Sequence, residues 1–219
     1  MLIASYMLQS TGMGVLMAGL IYYVKHVMNL PETFMGVIFP ILFVTAIVFI
    51  PVWVQAGKKF GKIRSYRVGL ALIAVMLAST FFTKPSQLPL FYVQMFLLGI
   101  GFSSFQLFPF SMLPDTIEYD EMKSGLRREG IFSGVWASGQ KMAYSVGPGI
   151  VGFALALSGF TATGPQPDSV SLGIRLVFCL FPALVLLLSF IPFGRYELTE
   201  EKFEEIKGLI AGERSRPSS

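Results

Sequence analysis

Six stretches of this chain stay apolar long enough to cross the roughly 30 Å of a bilayer's hydrocarbon, a distance that takes about 20 helical residues. They lie near residues 2–24, 34–55, 68–83, 88–113, 131–157 and 176–193, with a polar tail at 194–219. In hydrocarbon every backbone N–H and C=O must be bonded within the structure, which leaves only helices and closed barrels. The runs are too long, and too rich in Phe, Leu, Gly and Ala, for the ten-residue alternating strands of a barrel. The expected fold is therefore an all-α membrane protein of six transmembrane helices. Pro40, Pro51, Pro109, Pro148 and Pro182 fall inside runs and predict bends rather than breaks, because neighbouring helices can satisfy the groups they free. Composition agrees: 53% of residues are hydrophobic and 14% charged, against about 25% charged in soluble domains. A water-soluble globule and a disordered chain are both excluded.

The positions of Lys and Arg orient the spans, since basic residues near span ends stay cytoplasmic. Lys58, Lys59, Lys62, Arg64 and Arg67 follow the second span; Lys123, Arg127 and Arg128 follow the fourth; Arg195, Lys202, Lys207, Arg214 and Arg216 follow the sixth. The opposite side has little beyond Lys25 and Lys84. Both termini are expected in the cytoplasm of a multi-pass plasma-membrane protein, with outer loops at 25–33, 84–87 and 159–169. The first run lacks a basic leader and a small-residue cleavage site, so it reads as a span and not a signal peptide. In the tail, Phe203, Ile206 and Ile210 share one face of a short amphipathic helix over 197–210. With 17 basic and 13 acidic residues the net charge is +4, but the basic residues sit between apolar runs and form no stripe for nucleic acid. Lipid is the expected partner.

Lys141 is the one ionisable residue well inside a run. At the centre of a span such a charge costs at least about 2.5–3.5 kcal/mol, so it is expected to face an aqueous cavity or a carboxylate. Ser138 and Ser145 share its helical face, with Tyr144 and Gly134 beside them. The same run is built from small residues, Gly134, Ser138, Gly139, Ala143, Ser145, Gly147, Gly149 and Gly152, which admit a close neighbour. Between the fourth and fifth spans, Asp115, Glu118, Asp120, Glu121, Lys123, Arg127, Arg128 and Glu129 crowd together; they read either as ion pairs locking one end of a bundle or as a solvated loop. Gly12 with Gly14, and Gly99 with Gly101, open the two groups of three spans and hint at a repeat. His26 and Arg175 read as interfacial and structural. One Cys and one His exclude a disulfide scaffold and a His-based metal cage; no metal or cofactor site is expected, and no enzyme constellation appears.

The stretch from Leu113 to Lys141, LPDTIEYDEMKSGLRREGIFSGVWASGQK, resembles the connection between the tenth and eleventh helices of the glycoside-pentoside-hexuronide:cation symporters, a branch of the major facilitator superfamily, and the lysine that follows. Asp115, Glu118 and Tyr119, then Arg127 and Glu129, then Lys141 carry the match. YYVKHVMNLPE, from Tyr22, is similar to the end of that family's seventh helix, and RYELTEEKFEEI, from Arg195, to the start of its tail. Lys59, Gly61 and Lys62 fit the superfamily's cytoplasmic loop motif, although Lys58 stands where an acidic residue is usual.

The resemblance implies the carboxyl-terminal six-helix half of a twelve-helix major facilitator fold, with substrate held between two bundles. Lys141, with Ser138, Tyr144 and Ser145, would face the central cavity; Asp115, Glu118, Tyr119, Asp120, Arg127 and Glu129 would form a cytoplasmic gate. The coupling cation, Na+ or H+, would be bound mainly by the amino-terminal half, and the chain's partner would be that half. The expected function is cation-coupled transport of a sugar or related small solute. Three alternatives stay open: two copies forming a homodimeric transporter, a lysolipid-type transporter half, and a membrane protein that binds a partner without transporting.

Overall fold

The apolar runs fold as helices, as the hydrogen-bonding argument requires. In the computed structural model, which describes residues 2–126, 128–161 and 166–191, α1 is Leu2–Tyr22, α2 Met35–Phe60, α3 Lys62–Thr80 and α4 Leu88–Ser124. They are followed by α5 at Glu129–Leu157, α6 at Asp168–Arg175 and α7 at Phe181–Leu188. A π-helical turn, Tyr23–Val27, prolongs α1, and a second, Leu176–Leu180, joins α6 to α7. Five helical stretches are long and apolar enough to cross a membrane: Leu2–Val27, Glu32–Phe60, Lys62–Thr80, Leu88–Ser124 and Asp168–Leu188. The expected fifth span is also a single helix, α5, but its Gly, Ser, Gln140 and Lys141 leave it less apolar than those five. The tail, and the helix expected there, lie outside the described residues.

Two boundaries differ from the sequence expectation. The loop expected between the second and third spans shrinks to one residue, Gly61, at φ 86°. An L side chain rarely adopts that backbone, so glycine alone lets α2 reverse into α3 without strain. The acidic stretch after the fourth span is not a loop; α4 continues through it to Ser124, for 37 residues. Glu, Met and Lys favour helix, and α4 stops only where Gly125 turns left-handed and donates its N–H to the Glu121 carbonyl at 2.8 Å. At 1.5 Å per residue such a helix is about 55 Å long, so it outruns the hydrocarbon. Pro40 and Pro51 sit within an unbroken α2, Pro109 within α4 and Pro148 within α5, while Pro182 follows directly on the π-helical turn Leu176–Leu180.

α1 lies along α5, α4 lies against both α2 and α3, and α7 packs on α1 and α3. The α1–α5 contact is backbone on backbone: a Cβ at Gly14 would stand 2.8 Å from the Tyr144 carbonyl oxygen, and one at Gly147 would stand 2.3 Å from the Gly14 carbonyl carbon. Gly99 of α4 approaches α2 the same way, 2.7 Å from the Leu42 carbonyl. The first helix of each group of three thus packs through glycine on the second helix of the other group, a close approach that small residues allow.

Among the largest buried side chains are Tyr6, Tyr23, Tyr66, Phe91, Phe105, Phe108 and Phe178. Tyr23 donates from its hydroxyl to the Thr80 carbonyl at 2.7 Å. Arg175 ties the last span to the third: its guanidinium donates to the carbonyls of Phe81 and Thr83 just past the end of α3, where a cation also complements the helix dipole. His26 stacks near Tyr22 at 6.4 Å and meets Phe160 edge-on at 5.2 Å.

Candidate functional site: the open face of the fifth helix

α5 carries three different faces. Trp136, Gly139, Ala143, Gly147, Val151 and Leu155, at three- and four-residue spacing, are buried within the chain's own fold. Ile131, Val135, Met142, Val146, Phe153 and Leu157 form an exposed face of large apolar groups. The third face, also exposed, consists of Gly134, Ser138, Lys141, Ser145, Gly149 and Gly152. A Cβ at Gly134, Gly149 or Gly152 would meet nothing within 4 Å. The small residues of this helix therefore fall into two sets: Gly139 and Gly147 admit a neighbour helix, and the other three admit nothing that the chain itself supplies.

Lys141 stands in the middle of that third face. No carboxylate among the described residues pairs with it. Ser145 donates to its own helix at the Met142 carbonyl, 2.8 Å away. The four residues expected to act together are split. Ser138, Lys141 and Ser145 lie on the open face, while Tyr144 is half-buried against the core and its backbone abuts Gly14. α2 offers a contrast, because its exposed side from Phe43 to Val54, with Val44, Ile47, Val48 and Val52, is apolar, and exposed polar side chains begin only at Gln55.

Behind the open face runs a set of buried polar contacts that sequence reasoning missed. Gln140 donates to the Tyr6 hydroxyl at 2.5 Å, and the Tyr6 ring stacks on Trp136 at 4.0 Å. Tyr66 donates to Gln9 Oε1 at 2.5 Å, and Gln9 Nε2 donates to Ser189 Oγ at 3.0 Å. Gln9 thereby ties α1 to α3 and to the end of the last helix. Its signal in the sequence was plain: it is the one amide in the first run, and hydrocarbon leaves no solvent to satisfy it.

At the α2–α3 reversal, Lys62 Nζ lies 2.6 Å from Asp115 Oδ2 and 3.3 Å from the Ser111 carbonyl. This ion pair joins a residue of the loop motif to a residue of the expected gate, two groups that the sequence kept apart. Gly61 makes the reversal, and Lys59 is exposed with its ammonium 5.3 Å from the Phe60 ring centroid. Glu118, Tyr119 and Asp120 lie half-buried on the last turns of α4, where Lys123 approaches the Tyr119 ring at 4.6 Å. Glu129 opens α5 and is exposed; Arg127 lies outside the described residues.

A family model described as MFS/sugar transport protein matches residues 1–200. The chain belongs to that family. Among the relatives of this MFS chain, an uncharacterized symporter of Synechocystis sp. is 32% identical over 86% of the chain and 36% of its own length. A glucuronide carrier protein homolog of Escherichia coli is 28% identical over 86% of the chain and 41% of its own length. A sodium-dependent lysophosphatidylcholine symporter 1 of Xenopus tropicalis is 26% identical over 95% of the chain and 40% of its own length. The chain thus spans about two fifths of each of these relatives. Family membership places the chain among integral membrane proteins, in a family of transporters.

Proposed function

We propose that the chain forms one six-helix bundle of a cation-coupled symporter in the plasma membrane, both termini cytoplasmic, and that the open face of α5 lines a water-filled pathway against a second bundle. The observation that carries this reading is the division of α5's exposed surface. A helix facing only lipid would be apolar round its exposed arc, as α2 is from Phe43 to Val54, and would not set a lysine with no carboxylate partner among the described residues amid glycines and serines. Coverage of about two fifths of the relatives agrees with a partner bundle supplied by further sequence or by another chain. In this reading Lys141 provides the fixed positive charge of the pathway, with Ser138 and Ser145 beside it and Tyr144 supporting the helix from behind. Asp115, Glu118, Tyr119, Asp120, Arg127 and Glu129, with Lys59, Gly61 and Lys62, form the cytoplasmic gate, in which Lys62–Asp115 is a contact that can open. Na+ or H+ is the coupling ion, held mainly by the other bundle.

The relatives' names supply two solute classes, a glucuronide and a lysophospholipid. The open face bears no carboxamide or carboxylate group to bind sugar hydroxyls, which favours the amphiphile. The test is uptake of each solute under an imposed Na+ or H+ gradient by the chain joined to its second bundle, comparing Lys141→Met with Lys141→Arg. Met keeps the stem without the charge, and Arg keeps the charge in a different shape. Lys141→Met should abolish gradient-driven accumulation at unchanged membrane abundance, and Lys141→Arg should retain part of it. Normal accumulation by Lys141→Met would remove Lys141 from the pathway. Uptake by the purified chain alone would replace the second bundle with a second copy.

A further inference from the structure

One amide inside the spans stands apart from the others. Gln9, Gln94 and Gln140 each bond side chains of other elements: Tyr66 and Ser189, Thr83 and Ser79, and Tyr6 respectively. Gln106 of α4 makes no hydrogen bond among the described residues, and between Leu98 and Pro109 it is the one exposed residue. Hydrocarbon offers an amide no partner, so a place facing lipid would be costly. The neighbours of Gln106 give its direction. At about 100° per residue it projects between Phe105 and Phe110, and both of those rings meet Tyr6, at centroid distances of 5.5 and 6.1 Å. Phe110, 48% exposed, also meets Trp136 of α5 edge-on at 5.8 Å. Tyr6 is in turn bonded by Gln140, the residue beside Lys141. Gln106 and Phe110 thus face, from α4, the side of the bundle on which α5 carries Lys141.

We infer that Gln106 is a specificity-determining residue of the pathway, bonding a hydroxyl group of the solute while the Phe110 ring takes the apolar surface next to it. The inference rests on the reading of α5's open face as the wall of a water-filled pathway. An amide donates and accepts without charge, as a hydroxyl does, so Gln106 suits that group, whereas an acidic group is met by Lys141. Both solute classes of that reading carry the two groups together: a glucuronide has a carboxylate beside ring hydroxyls, and a lysophospholipid has a phosphodiester beside the free glycerol hydroxyl.

Uptake by the chain joined to its second bundle tests it, with lysophosphatidylcholine set against its 2-deoxy analogue and a methyl glucuronide against its 4-deoxy analogue. A hydrogen bond between neutral groups is worth about twofold to tenfold in affinity. The wild type should show a KM lower by that factor for the hydroxylated member of whichever pair it carries, which also separates the two solutes. Gln106→Leu should show the same KM for both members, with maximal rate and membrane abundance unchanged, a pattern that damage to the fold does not produce. As a second measurement, Gln106→Cys with Cys179→Ala should react with a membrane-impermeant methanethiosulfonate and be protected by the solute. A wild type indifferent to the hydroxyl, or a Gln106→Leu variant that keeps the wild-type preference, would overturn the inference. An unreactive Gln106→Cys beside a reactive Ser138→Cys would do so as well and leave the transport reading standing, whereas no reaction at either position would overturn both.

Discussion

Gln9 shows how one side chain can organise a membrane bundle. Both ends of its amide are bonded, to Tyr66 and to Ser189, so Gln9→Leu removes one hydrogen bond from each of two buried hydroxyls. Interhelical hydrogen bonds in membranes contribute about 0.6–1.7 kcal/mol, and the single substitution should cost about that much in thermal unfolding. Adding Tyr66→Phe should cost less than the sum of the two single changes, because both remove the same hydrogen bond. Strict additivity would mean the bond contributes nothing. Lys62 and Asp115, with side chains 33% and 16% exposed, belong to a weaker class. Exchanging the pair to Lys62→Asp with Asp115→Lys should recover most of the ~1 kcal/mol or less that either change alone removes. At this scale the sequence pointed to Lys141 through the cost of burying charge and marked Gln9 as the one amide of the first run, but the partners of Gln9 appear only when the hydrogen bonds can be followed across helices.

Among the elements, α5 is the most informative, because its glycines do opposite things. Gly147→Ala pushes a methyl against the α1 backbone and should cost about 1–3 kcal/mol, as overpacking does. Gly152→Ala meets nothing within 4 Å and should leave stability unchanged or raise it by up to about 1 kcal/mol. Equal losses in the two variants, read from thermal unfolding of the purified chain, would contradict the division of faces. The sequence marked all these small residues alike, since helical spacing says which of them share a face but not which face meets protein. The ends of α2 and α4 were hidden for a related reason. The reversal at Gly61 and the extension of α4 to Ser124 lie in polar sequence, where apolar periodicity gives no ruler and backbone geometry decides.

For the whole molecule, length and hydropathy were enough to give helices, their order and a membrane setting, and the residues from Leu113 to Lys141 were enough for the family. The facing of each surface was not legible, because lipid and a helix interior are equally apolar, and only the packed structure separates the two. The six-span reading places the α2–α3 reversal and the α3–α4 connection on opposite sides of the membrane. Topology reporters after Lys62 and after Ser86 should therefore report cytoplasm and exterior respectively, and the same side for both would remove α3 as a span. The central claim, that α5's third face lines water, is tested most directly by thiol accessibility. The one native cysteine, Cys179, is buried and replaceable by Ala, and a thiol reacts only as the hydrated thiolate. Single cysteines at Ser138 and Ser145, against Met142 and Phe153, are exposed to a membrane-impermeant methanethiosulfonate in intact membranes, with the second bundle present. The account predicts rapid modification of Ser138→Cys and Ser145→Cys and none of Met142→Cys and Phe153→Cys; equal reaction at all four positions, or at none, would contradict it.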